Sequence, residues 1–175
     1  MLREKYANFF SSSLPKLRRF AYGLCGSVVT AEDLVQEAFT RLLSSDGHQE
    51  QYKEQWLFRT VRNLYIDLIR KENIRDRHYM SATGSSDIDI DGAAQIENLI
   101  TLAHIRELIL QLPGEQREVL LLVGVEGYSY REAAEILDLP IGTVTSRLAR
   151  ARNRLLYSFS ENSMPEEAAA DGGVK

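Results

Sequence analysis

Arg147, Arg150, Arg152 and Arg154 are crowded into one short stretch of a 175-residue chain. Guanidinium groups so spaced suit two kinds of recognition: bidentate hydrogen bonding to guanine edges and pairing with phosphate oxygens. Either use needs a rigid element that carries them into a groove. The surrounding stretch, SYREAAEILDLPIGTVTSRLARARNRLL (129–156), supplies one. Ala133, Ala134 and Leu137 give a first helix a small apolar face that a crossing helix can approach closely. Pro140 lacks a backbone N–H and fits a turn. Asp138 tolerates a left-handed turn conformation better than most residues. Thr143 is the expected cap of a second helix, with Val144, Leu148 and Leu155 as its inward stripe. The layout is that of a helix-turn-helix whose second helix enters the DNA major groove. A plain αα-hairpin with a solvated arginine face is the alternative.

Length and composition bound the rest. A chain of 175 residues makes one domain or two small ones, and 44% hydrophobic with 26% charged residues is ordinary for a soluble globular protein. No apolar run is long enough for a membrane span. MLREKYANFF lacks an apolar signal core, and the single cysteine, Cys25, excludes an internal disulfide, so a cytoplasmic location is expected. Cys25 reads as a small buried hydrophobe. The formal charge of −4 is unevenly spread. Residues 1–77 carry net +3, 78–101 net −4, 102–160 net 0 and 161–175 net −3. Weak overall basicity predicts weak nonspecific DNA affinity for the chain alone, because phosphate neutralisation supplies that term. A larger partner that also holds DNA resolves the difficulty.

The elements that must position these residues are helices. The expected fold is all-α: two small helical domains joined by a flexible linker, the second containing the helix-turn-helix. The first domain covers 1–78. Leu14, Leu17, Ala21 and Leu24 mark one helix, ended by Gly26-Ser27. Thr30 is the expected cap of a second, which buries Leu34, Val35, Ala38 and Leu42. Ser44–Gln51 reads as a loop. A third helix, from about Lys53 to Asn73, has Leu57, Val61, Leu64 and Leu68 as its core stripe, with Trp56 as a core anchor. Residues 79–95, rich in Ser, Gly and Asp, read as the flexible acidic linker. The second domain covers 96–160, with Leu102, Ile105, Ile109 and Leu112 on one helix face and a very apolar helix over Glu115–Val125. Tyr128 and Tyr130 read as packing residues ahead of the first helix of the motif. Residues 161–175 read as a disordered acidic tail.

Two further faces could bind partners. On the second helix, Asp33, Gln36, Glu37 and Thr40 cannot all face a core, and Phe39 borders them. This suits a protein partner, although on the residues alone a solvated face with Phe39 tucked into the core is the preferred reading. On the third helix, Arg59, Arg62, Asn63, Ile66 and Arg70 recur at three- and four-residue steps. Arginines beside Asn and aromatics suit single-stranded DNA, where cations track phosphates and flat groups take unstacked bases. No residue set supports enzyme chemistry: there is no metal-ligand cluster, no glycine-rich phosphate loop and no Cys/His arrangement. DIDIDG lacks the glutamate that would complete a calcium loop, and His48, His78 and His104 have no ligand cluster around them. No cofactor or metal is expected.

Three segments together resemble a bacterial RNA polymerase sigma factor of the extracytoplasmic-function group: AEDLVQEAFTRLL (31–43), WLFRTVRNLYIDLIRKENIR (56–75) and LPGEQREVLLLVGVEGYSYREAAEILDLPIGTVTSRLARARNRL (112–155). Their order and spacing cover nearly the whole chain apart from the linker and tail. The resemblance implies a two-domain protein that binds core RNA polymerase at the β′ clamp and the β flap. It further implies reading of promoter DNA at the −10 and −35 elements, and restraint by an anti-sigma factor. Carried onto matching positions, it implies polymerase binding by Asp33, Gln36, Glu37, Phe39 and Thr40. It implies −10 recognition by His48, Gln49 and Tyr52 in the loop and by Arg59, Arg62, Asn63 and Arg70 on the helix. A base flipped from the melted strand would be captured there, with Asn63 on the pocket floor. It implies −35 recognition by Thr143, Thr145, Ser146, Arg147, Arg150 and Arg152. Asp87, Asp89 and Asp91 would lie in a basic channel of the polymerase. The alternatives are a sigma-like mimic that sequesters an anti-sigma factor, and a helix-turn-helix repressor that reads a palindrome as a dimer.

Overall fold

The computed structural model describes residues 2–44, 53–76 and 93–162. Among them every regular element is helical: α1 (Leu2–Cys25), α2 (Val28–Ser44), α3 (Lys53–Asp76), α4 (Ala93–Gln111), α5 (Gly114–Leu120), α6 (Tyr130–Leu137) and α7 (Ile141–Asn162). A π-helical turn, Leu121–Val125, continues α5. Most of the expected linker, the expected tail and the loop bearing His48, Gln49 and Tyr52 lie outside the described residues.

Local chemistry explains the helix ends, and it moves some of them. α1 runs on through Pro15 to Leu2. It stops where Gly26 adopts φ 72°, a conformation that glycine takes without a Cβ penalty. The cap of α2 is Ser27 and not Thr30: the Thr30 N–H donates to Ser27 Oγ at 3.3 Å and the Ala31 N–H to Ser27 O at 2.9 Å. α4 starts at Ala93, three residues before the expected domain boundary. The apolar 115–125 segment is not one α-helix. The Glu126 N–H reaches back to Leu121 O at 2.9 Å, which widens the last turn to the π form. Gly127 then turns the chain at φ 78°.

The helix-turn-helix is built as its residues suggest, with its caps shifted. Ser129 opens α6 in a capping box. Its Oγ accepts from the Glu132 N–H at 3.3 Å, and the Glu132 carboxylate accepts from the Ser129 N–H at 2.8 Å. Asp138 closes α6 in the left-handed conformation, φ 54° and ψ 52°. α7 begins two residues before Thr143. Pro140 O receives the Thr143 and Val144 N–H groups, so Thr143 sits in the first turn and does not cap it. Substituting Ser129 by Ala should cost about 1 kcal/mol of stability, since the Glu132 N–H loses its side-chain partner. The Ser129 hydroxyl first, and its N–H second, hold the Glu132 carboxyl below its ordinary value. A depressed acid contributes stability above its unfolded value and loses it as pH falls through the folded one. Acid titration of wild type should therefore show this loss, and Ser129→Ala should show a smaller one, because only the backbone N–H of residue 129 remains to hold the carboxylate.

Packing joins the two helical blocks through one continuous core. Leu17, Phe20, Ala21 and Leu24 of α1, Val35 and Ala38 of α2 and Leu57, Phe58 and Val61 of α3 are buried. So are Val119 and Leu122 beyond the linker, Ile136 and Leu137 of α6 and Val144, Leu148 and Ala151 of α7. Phe58 packs edge-on against Phe20 at 5.1 Å and against Tyr128 of the second block at 5.2 Å. Gly23 lets α1 come close to the π turn, where a Cβ would stand 2.5 Å from Leu121 Cδ2. The two expected helical domains thus meet through their apolar faces. Three expected packing residues fall elsewhere: Trp56 and Tyr130 lie at the surface, and Leu102 is 61% exposed. Phe58 and Leu108 take the interior positions in α3 and α4.

Candidate nucleic-acid interface

The α2 surface is polar as expected. Asp33, Gln36, Glu37 and Thr40 are exposed. Glu37 pairs with Arg41 one turn on at 2.7 Å, and the Thr40 hydroxyl donates to Gln36 O at 2.9 Å. Phe39 is half-buried against Phe10, with ring centres 4.7 Å apart, so it borders this face without standing free of the fold.

The α3 residues separate into two groups. Asn63 and Arg70 face outward, Arg70 lying 3.7 Å from Asp67. Arg59 and Arg62 turn toward the second block. Arg59 Nε donates to Ile136 O at 3.1 Å, and its Nη2 donates to Glu135 O. These are C-terminal carbonyls of α6, which lack helical partners and attract a cation. Arg62 grips Glu118 with two nitrogens, at 2.6 and 3.2 Å. The Glu118 side chain is only 6% exposed, so this charge is held by ion pairing.

Arg147 shares that carboxylate. It lies 2.8 Å from Glu115 and 3.5 Å from Glu118, and its side chain is 17% exposed. It therefore braces α7 against α5 in this arrangement. Arg150 and Arg152, with Thr145 and Ser146, are exposed along α7, and Thr143 is half-buried. The Thr145 hydroxyl donates to Ile141 O at 2.9 Å and the Ser146 hydroxyl to Thr143 O at 3.0 Å, leaving their oxygens as acceptors.

Several residues that matter here went unread in the sequence. Arg117 donates to Leu24 O at 2.6 Å, Tyr65 Oη at 3.3 Å, Leu112 O at 2.9 Å and Leu110 O. Burial pushes the Tyr65 phenol up despite this cation. Arg19 meets Glu126 at 2.7 Å, and Arg106 donates to the Tyr22 hydroxyl. Cys25 is half-buried and its thiol donates to Ser27 O at 3.3 Å; burial pushes the thiol up. The signal for Glu118 and Arg117 was present, as charges beside the apolar run VLLLV. Among the described residues no cluster of metal-ligating side chains occurs, and no helix is long and apolar enough to cross a membrane.

Two family models match the chain in order: Sigma-70 region 2 over residues 9–74 and Sigma-70 region 4 over residues 102–155. The ECF RNA polymerase sigma factor EcfG of Rhodopseudomonas palustris is 37% identical over 146 residues, 82% of this chain and 79% of its own length. The chain belongs to the ECF RNA polymerase sigma factors. The ECF sigma factor SigW of Bacillus subtilis is 32% identical over 87% of this chain and 88% of its own. Among solved structures, the sigma factor RpoE of Bartonella quintana, in complex with the anti-sigma factor NepR, superposes with a TM-score of 0.74. It is 28% identical, over 90% of this chain and 98% of that one. In this ECF sigma factor, region 2 thus falls on α1–α3 and region 4 on α4–α7, and the seam between them runs through Arg59, Arg62 and Glu118.

Proposed function

We propose that this ECF sigma factor binds core RNA polymerase and directs transcription initiation from promoters with its own −10 and −35 elements. The observation that carries the reading is the presence of both sigma-70 regions, in order, on one chain. Region 2 spans residues 1–78 and docks on the β′ clamp with Asp33, Gln36, Glu37, Phe39 and Thr40. Region 4 spans 96–160 and meets the β flap. His48, Gln49, Tyr52, Arg59, Arg62, Asn63 and Arg70 take the melted −10 strand. Exposed Thr145, Ser146, Arg150 and Arg152, with Thr143 and Arg147 at the helix start, take the −35 duplex. The protein works in the cytoplasm and carries out no bond chemistry itself; the polymerase does. An anti-sigma factor restrains it, a reading supported by the solved relative bound to one.

Arg150, exposed on α7, offers the test. A bidentate arginine–guanine contact discriminates by about 1–3 kcal/mol, or roughly 5- to 150-fold. Arg150→Ala should reduce transcription from a cognate promoter within that range in reactions with core polymerase. Asn63→Ala should relax base preference at one −10 position. Both should leave co-purification with core polymerase unchanged. If neither variant alters promoter output, the assignment of these faces is wrong.

A further inference from the structure

We infer that Glu115 is a positioning residue for −35 recognition. It acts through Arg147 and fixes the roll of α7, and with it the base edges that Thr145, Ser146 and Arg150 reach. This rests on the reading of α7 as the −35 helix.

Hydrogen bonds to base edges tolerate errors of only about 0.5 Å and 10–20°, so a reading side chain needs an element that its surroundings hold rigid. On α7 the buried stripe is Val144, Leu148 and Ala151. Short apolar side chains make non-directional contacts, which hold a helix down without fixing its rotation. Arg147 supplies the direction. It flanks that stripe and stands one turn ahead of Arg150, so the two arginines are neighbours on the helix surface. Its Nη2 lies 2.8 Å from a Glu115 oxygen and its Nη1 3.5 Å from a Glu118 oxygen. Glu115 and Glu118 are one turn apart on α5 and share a side of it. Two carboxylates from one helix thus bracket the two ends of a planar guanidinium, which sets the plane of the group as well as its distance.

The two arms of the bracket differ. Glu118 is buried and divided between Arg62 and Arg147. The Glu115 side chain is 71% exposed, while that of Arg147 is 17% exposed. A carboxylate so exposed adds little to stability through its ion pair. Beside a helix that enters DNA it also opposes the phosphates. Its value lies in where it holds Arg147.

The test uses holoenzyme assembled from core RNA polymerase and the full-length chain. It transcribes a promoter library randomised at the −35 and −10 elements, each template carrying a transcribed barcode, and sequencing gives the base preference at every position. Glu115→Gln keeps the size of the side chain and removes its charge. It should cut the preference for the favoured base at one or two −35 positions by about three- to tenfold and leave the −10 preferences as in wild type. Arg147→Lys keeps the cation but cannot span both carboxylates, and it should flatten the same positions. The double variant should lose no more than the worse single variant, because both break one contact. Glu115→Asp keeps the charge and should recover part of the preference. Loss of a carboxylate by electrostatics alone strengthens DNA binding on every template alike. An unchanged −35 preference in Glu115→Gln, or a uniform rise or fall across all templates, therefore overturns the role of Glu115. Additive losses in the double variant overturn its action through Arg147. Both results leave the sigma-factor reading standing when wild type shows preferences at both elements. A wild-type holoenzyme with no −35 preference overturns the role of Glu115 and the reading of α7 together.

Discussion

Arg117→Met is expected to lower the stability of the folded chain by about 3 kcal/mol or more. Methionine keeps most of the volume and the apolar stem, so packing loss is small. What goes is the donor set. Leu24 O lies near the C-terminus of α1, and Leu110 O and Leu112 O lie at the end of α4. Helix-end carbonyls have no intrahelical partner and need one from outside. Arg117 serves all three at once, and Tyr65 Oη as well. Each buried acceptor left without a donor costs about 1–3 kcal/mol, and Arg117 is half-buried, so water can recover only part. Urea unfolding should show a lower midpoint with an unchanged slope. A shift worth less than about 1 kcal/mol would mean water replaces the guanidinium at these carbonyls.

Phe58→Ala is expected to cost about 3–5 kcal/mol, the usual range for emptying a buried aromatic site. Phe58 is fully buried and touches aromatic rings on both sides of the seam, Phe20 and Tyr128. Its loss therefore strikes region 2 and its contact with region 4 together. Trp56 is the single tryptophan and reports on region 2. Its fluorescence and the far-UV circular dichroism of all the helices should show wild type unfolding in one coincident transition. The variant should move both signals down. Two transitions in wild type, with Phe58→Ala shifting only the earlier one, would show that the blocks fold independently.

The secondary structure was legible because its punctuation is strong. Gly26-Ser27, Pro113-Gly114, Gly127 and Asp138-Leu-Pro140 each mark a real break between helices. The inward stripes of α1, α2 and α7 followed from spacing alone. Ser27 and Ser129 were passed over as caps although both were readable, Ser129 through the Ser-Tyr-Arg-Glu box. The rest was not legible for a physical reason. Periodicity places a residue on a face of its own helix and does not say what that face meets. Arg59 and Arg62 share an arc with Asn63, yet only the arginines are long enough to reach the neighbouring block. Arg147 has the spacing of a base reader, and spacing does not reveal the glutamate one helix away that it pairs with here. Glu118 and Arg117 look like solvated charges until the fold buries the first and half-buries the second. The exposure of Asp33, Gln36, Glu37 and Thr40 on α2, and of Thr145, Ser146, Arg150 and Arg152 on α7, followed from helical spacing.

The most direct measurement is genome-wide mapping of transcript 5′ ends made in vitro by core RNA polymerase with and without the purified chain. The account predicts a small new set of start sites that share paired upstream elements and that vanish when the chain is omitted. An unchanged set of start sites, with the chain folded and present in excess, would contradict it.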